Sequence, residues 1–153
     1  MATNKRQQIV TAIDTRLKTI LTANGYETSV GASVVWWAMS PIDQDLLPQI
    51  LVKDTERILR NDELGIGQHQ HILNIAVEIM LKPTYTAAAS TMRQVIADLY
   101  KCIGVDVTWG GLAEDTSLPV ETGLRIEQHE YCLVGVGYNF DVEYITSPWD
   151  PYT

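Results

Sequence analysis

The sequence predicts an α+β fold, a mainly antiparallel sheet with two helices packed on one of its faces. Three patterns predict it. Apolar residues alternate along residues 68–82 and again along residues 132–144, which is the period of a strand. They recur at helical spacing over residues 3–24 and 84–103, and a glycine, Gly25 or Gly104, follows each run. The resulting order is helix, strands, long strand, helix, two strands, for which one sheet with both helices on one face is the simplest architecture.

The first helix sets Ile9, Ile13, Leu17, Ile20 and Leu21 on one stripe, and Gly25 suits the left-handed position past its end. Such a stripe needs a partner surface, which the following strands supply. Residues 26–60 read as strand pieces punctuated by Gly31, Pro41 and Pro48. Val34, Val35, Trp36 and Trp37 put large apolar groups on both faces of one piece, which predicts cover on both sides. A polar loop over residues 40–47 ends in the exposed pair Leu46 and Leu47, and a strand follows over about residues 49–53. Over residues 54–60, strand and short helix both fit.

In the long strand, Leu73, Ile75, Val77, Ile79 and Leu81 share a face opposite Gln70, Asn74, Glu78 and Lys82. The second helix has the stripe Ala88, Met92, Val95, Ile96, Leu99 and Ile103. A loop with Trp109-Gly110-Gly111 and the acidic pair Glu114 and Asp115 leads to a strand over about residues 120–128. The last strand alternates Cys132, Val134, Val136, Tyr138, Phe140, Val142 and Tyr144 against Gly135, Gly137, Asn139, Asp141 and Glu143. Residues 147–153, aromatic and broken by proline, form an irregular arm.

At roughly 3.3 Å per residue the two long strands would reach about 45–50 Å. A compact domain of this size is about 40 Å across. Overrunning strands expose edges that a monomer avoids and a neighbouring subunit can use. The alternative is a bulge at Gly135 or Gly137 that bends the last strand back onto its own core.

Residues 1–153 are expected to form a single domain, with 46% hydrophobic and 20% charged residues. Such a chain buries roughly 70% of its unfolded surface and needs no disulfide or metal to fold. The longest apolar run, residues 34–39, is far below the roughly 20 residues of a membrane span. The polar start (Thr3, Asn4, Lys5, Arg6) has no signal-peptide core, and two cysteines make no secreted framework, so a soluble protein folded in a reducing cytosol is expected. Residues 1–83 carry eight Lys/Arg against nine Asp/Glu, and residues 84–153 carry three against ten. The acidic half repels phosphate backbones, and the basic group Lys5, Arg6, Arg16 and Lys18 reads as a solvated helix face rather than a DNA patch.

No catalytic, cofactor or metal site is expected. His69 and His71 share a strand face at a spacing that zinc sites use, but His129, Cys102, Cys132 or carboxylates would have to supply the remaining ligands. Cys102 and Cys132 lie on or near apolar stripes; either could be a nucleophile with His129 as base, but neither has an activating helix N-terminus or cation beside it, and Cys102 falls by a helix C-terminus, where the dipole disfavours a thiolate. Gly65-Ile66-Gly67 and Gly135-Val136-Gly137 lack the third glycine and following helix of a phosphate loop. Glu114 and Asp115 have no basic or histidine partner for acid–base work. Four tryptophans and seven tyrosines stand beside one phenylalanine. Trp36 and Trp37 read as core, whereas Leu46, Leu47, Trp109, Trp149 and Tyr152 fall in loops or the arm and are the expected protein-interface residues.

An ordered set of features resembles the tail terminator, or tail completion, proteins of long-tailed bacteriophages. It comprises the helix closed by Asn24-Gly25-Tyr26, Leu47-Pro48-Gln49-Ile50 leading into a strand, His71-Ile72-Leu73-Asn74-Ile75-Ala76-Val77 before an Ala-rich helix, and the last strand from Val136 to Thr146. The resemblance covers most of the chain. The family has no catalytic signature, so no functional residue is carried over. It implies a non-enzymatic virion protein of the tail or neck, assembled in the host cytoplasm as a homo-oligomeric ring, commonly a hexamer. Such a ring caps the tail tube protein, ends tube polymerisation and presents a surface to the head–tail connector or stopper protein, with DNA passing through unbound. A stopper or other neck protein is the nearest alternative; a small-ligand-binding or enzymatic domain of the same shape is the more distant one. The negative charge suits a channel that must not hold DNA.

Overall fold

The computed structural model describes residues 2–60 and 67–153; Gly65 and Ile66 of the first G-x-G piece lie outside the described residues. The elements are α1 (Lys5–Leu17), β1 (Val34–Trp36), β2 (Gln49–Arg60), β3 (His69–Leu81), α2 (Ala88–Ile103), β4 (Asp115–Thr116), β5 (Val120–Gln128) and β6 (Cys132–Thr146). They form an α+β fold around one sheet in the order β1-β2-β3-β6, with β4 and β5 pairing successive stretches of the outer side of β6. The short β1 runs parallel to β2, so the sheet is mixed, and every other pairing is antiparallel.

The core lies on one face of this sheet. Leu73, Ile75, Val77 and Ile79 of β3 and Val134, Val136, Phe140 and Val142 of β6 join Ile9, Ile13 and Leu17 of α1 and Val95, Leu99 and Ile103 of α2 in a single buried cluster. Each such side chain contributes about 1.5–3 kcal/mol when fully removed from water. The opposite face is a polar ladder: Asn74 donates to Asp141 at 2.8 Å, Gln70 donates to Glu143 at 3.3 Å, and Arg125 stands 3.6 Å from Glu78.

The first helix is shorter than its periodicity predicts. Asn4 caps its start by accepting from the Gln7 amide at 2.8 Å. After Leu17 the bonds tighten, with the Ile20 amide on the Leu17 carbonyl, and Ile20 stays in the core on an irregular turn. Gly25, at φ 83°, closes the short 3-10 turn Thr22–Asn24 that follows. The break lets the turn Val30–Ala32 lie across the end of α1, where the Gly31 amide donates to the Ile20 carbonyl at 2.9 Å. A Cβ on Gly31 would stand 2.4 Å from the Leu17 carbonyl oxygen and 2.9 Å from the Ile20 nitrogen, so this crossing requires glycine.

Three further expectations are settled. β1 is only half-buried and is not covered on both sides, because Trp37 (φ 51°) ends it and leaves its ring about half exposed. Both indoles instead donate to carboxylates, Trp36 to Asp14 at 3.1 Å and Trp37 to Asp54 at 2.7 Å. Residues 54–60 are strand, paired one-for-one with β3 through Arg60. β6 carries no bulge against β3; the register shift lies in β5, between Glu121 and Gly123. Gly137 matters for that bulge, since Thr122 folds over it with Oγ1 only 2.5 Å from where a Cβ would stand.

Gly31→Ala should cost about 1–3 kcal/mol, because the clash is with backbone and no rotamer relieves it. The control is Gly123→Ala, where nothing lies within 4 Å of the new methyl, and it should stay within about 0.5 kcal/mol of the parent. Urea unfolding midpoints of both variants check this, and equal midpoints would refute the backbone-crossing account.

Candidate functional site

The residues expected at an interface fall into three places. Leu46 ends the 3-10 turn Gln44–Leu46, held by the Asp43 side chain accepting from the Asp45 amide at 3.0 Å, and is 60% exposed; Leu47 beside it is half-buried. Both precede β2, whose first residue pairs Met80 near the end of β3. Trp149 (92% exposed) and Tyr152 (55%) lie beyond β6, whose last residue pairs His69 at the start of β3. The two groups therefore stand at opposite ends of the sheet, separated by a strand of 13 residues, about 40 Å at roughly 3.3 Å per residue.

Trp109 is a correction. It is 2% exposed, stacks on Phe140 with centroids 6.2 Å apart, and donates its indole N–H to Thr116 Oγ1 at 2.8 Å. The Arg16 guanidinium covers its other side at 3.9 Å from the ring centroid. It is a core residue that pins its loop to the sheet and cannot anchor a partner. The left-handed run Trp109, Gly110 and Gly111 (φ 54°, 76° and 82°) turns the ring inward.

Asp106 organises that loop. Its carboxylate accepts from the Thr108 hydroxyl at 2.7 Å, the Gly110 amide at 2.7 Å and the Thr108 amide at 2.9 Å. The Thr108 hydroxyl first, then the two amides, and last the Arg16 charge hold its pKa down at about 2. Arg16 itself donates to the Asp106 and Ile103 carbonyls.

The arm is held by its backbone. The Lys5 amide donates to the Pro151 carbonyl at 2.9 Å, and the Lys5 ammonium donates to the Ile145 carbonyl at 2.8 Å. Trp149, at φ 60°, touches His69 edge-on with centroids 5.2 Å apart and otherwise projects into solvent. Lys18 pairs with Asp14 at 2.7 Å and Arg6 with Asp54 at 2.6 Å. All four basic side chains of the first helix region thus have partners within the chain, while Lys18 and Arg6 keep 54% and 38% of their side chains exposed on the solvated face expected there.

Sequence reasoning missed a buried polar cluster where α1 meets the sheet. Asp54 and Glu56 point from β2 toward the helices, His71 from β3, and Tyr144 and Thr146 from β6. Arg6 grips Asp54 through two bonds and stands 3.9 Å from Glu56; the Tyr144 hydroxyl donates to Glu56. His71 stacks on Tyr144 at 4.5 Å and bonds Thr146 through Nε2 at 2.8 Å. Its Nδ1 lies 3.4 Å from Glu56, within ionic range but misaligned for a hydrogen bond. Burial, and then the Glu56 carboxylate, push the Tyr144 phenol far above its usual range. The missed signal was two carboxylates at i and i+2 on one strand face, readable only once residues 54–60 are known to be strand.

Chemically the cluster works as a latch. Nearly every polar atom in it is taken by another member, which leaves little to polarise a substrate. The neighbouring cleft of about 490 Å³ is lined by Ile58, His69, Trp149 and Pro151 and is mostly apolar. A second trough of about 710 Å³ on the open face has a floor of Ala76, Gly135 and Gly137, between the Ala38–Ile42 loop and β5. Both cysteines are buried as free thiols, and desolvation pushes the Cys102 thiol up. His129 pairs with Glu127 at the exposed β5–β6 turn, remote from Cys102 on α2. Among the described residues no group of three His, Cys, Asp or Glu could hold a metal ion, and no helix is long and apolar enough to cross a membrane. Compared with known proteins, the chain matches no family model and no curated sequence.

Two predictions follow from the loop and the arm. Trp109→Ala should lose about 3–5 kcal/mol of stability, and Trp149→Ala should stay within about 0.5 kcal/mol of the parent, as chemical denaturation would measure. For Asp106 the folded pKa lies below the unfolded value of 3.8, so its contribution is present above pH 4 and lost as pH falls toward 2. The stability gap between the parent and Asp106→Asn should be widest above pH 4 and shrink toward pH 2. A gap that is constant across an acid titration of melting temperature would contradict this.

Proposed function

We propose that this chain is a structural protein of a phage tail or neck, forming a ring that caps the tail tube, ends its polymerisation and offers the head-attachment surface. The observation that carries the reading is that exposed apolar side chains stand at opposite ends of the strands, Leu46 at one and Trp149 and Tyr152 at the other. A molecule with anchors at two opposite ends suits a piece clamped between two partners, here the tube protein and the connector. The resemblance in sequence order points the same way and implies a hexamer. The net charge of −8, with the first helix's cations already engaged, suits a lumen through which DNA passes without binding. The closure of the buried polar cluster on itself favours this reading over an enzymatic one.

Light scattering or native mass spectrometry should give a closed multiple of 17.1 kDa, six copies on this reading, free or on tubes. Tails assembled with the protein should stop at uniform length, and tubes grown without it should overrun. Trp149→Ala should weaken docking to one partner about tenfold or more while leaving melting unchanged. A protein that stays monomeric both free and in the presence of tubes, with tube length unaffected, would overturn the reading.

A further inference from the structure

Among the described residues, both lateral edges of the sheet are open. β5 pairs β6 on one side, and all nine of its residues are exposed. On the opposite side, β1 covers β2 only from Ile50 to Val52, and beyond that no described strand pairs the outer side of β2 through Leu59. Residues 57–60 there are exposed, Ile58 and Leu59 among them. Open edges carrying apolar side chains are templates for another strand, and monomers usually blunt them. The bulge at Glu121–Gly123 twists the first half of β5 away, but residues 124–128 run in unbroken register.

Resting on the ring reading above, we infer that the free edge of β5 in one copy pairs with the free edge of β2 in the next, continuing one sheet from copy to copy. The direction follows from the topology. β2, β3, β6 and β5 alternate in direction, so β5 and β2 of copies arranged side by side meet antiparallel.

The faces also agree. Leu124 and Ile126 oppose Val136 and Val134, and Ile58 opposes His71, so all three project from the helix-covered face. Registers that keep this agreement differ by steps of two residues. Setting Ile126 opposite Ile58 places Glu127 opposite Arg57, an apolar pair beside an ion pair. Shifting to Leu124 opposite Ile58 sets Arg125 against Arg57, a like-charge pair that costs stability. Shifting the other way leaves Ile58 facing Gln128. The first register is therefore selected. Such a contact is heterologous, which closes into a ring when the rotation allows, whereas pairing of β5 with itself about a two-fold axis stops at a dimer.

The test uses the full chain with Arg57→Cys and Glu127→Cys combined; the native Cys102 and Cys132 are buried. Mild oxidation should give a ladder of disulfide-linked multimers on a denaturing gel, ending at the ring's copy number. Ile126→Lys, at an exposed edge position, should melt like the parent yet raise the assembly dissociation constant at least tenfold. Arg57→Glu should weaken assembly, and adding Glu127→Lys should restore it. A parent that forms rings while the paired cysteines give no ladder and Ile126→Lys assembles normally would overturn the edge pairing and leave the ring reading standing. Ile126→Cys alone yielding a dimer and nothing larger would show two-fold β5 pairing and also overturn it. A parent that is monomeric, free and on tubes, would remove the ring reading and the pairing with it.

Discussion

Thirteen residue pairs join β3 to β6 without a break, and along them every second side chain turns to the same side. That ladder forces the rest of the molecule. Ile75 and Phe140 are cross-strand partners, as are Val77 and Tyr138 and Ile79 and Val136, so the paired strands create a wide apolar face that must leave water. Two helices with single stripes cover it, which is why both lie on the same face and why the opposite face can remain a ladder of amides and carboxylates. A slip of one residue between these strands would expose the whole apolar set at once, so burial itself enforces the register.

Closing that face consumes most of the nearby cations. Arg6, Arg16, Lys5 and Lys18 each reach a carboxylate or a carbonyl of the chain. Partnering is obligatory for Asp54, which is nearly buried and would be costly there without Arg6 and the Trp37 indole. Pairing leaves the sum of charges unchanged, and residues 84–153 carry three Lys/Arg against ten Asp/Glu.

The helices close one face of the sheet, while exposed apolar side chains include some at both strand ends and along both lateral edges. Strand ends and strand edges face perpendicular directions, so a contact at one would leave the residues of the other free.

Periodicity reached far because it is a local property. The alternation from Leu73 to Leu81 and from Cys132 to Tyr144, and the stripes Ile9, Ile13, Leu17 and Val95, Leu99, Ile103, report directly which face is dry, and they determined the fold class and most of the core. Where a distant segment decides, the local pattern misleads. The first helix ends at Leu17 because the turn holding Gly31 crosses it, and β2 continues to Arg60 because β3 pairs it residue by residue. Trp109 and Trp149 make the contrast plainest. Both sit in irregular segments with left-handed backbones, φ 54° and 60°, beside turn-forming residues. Nothing nearby in the sequence separates them. Thr116, Phe140 and Arg16 receive one ring and bury it, while the other meets the edge of His69 and stays 92% exposed. Burial is a pairwise matter between distant residues: the sequence determined that both tryptophans lie in loops, and the tertiary contacts alone decided which one the core would take.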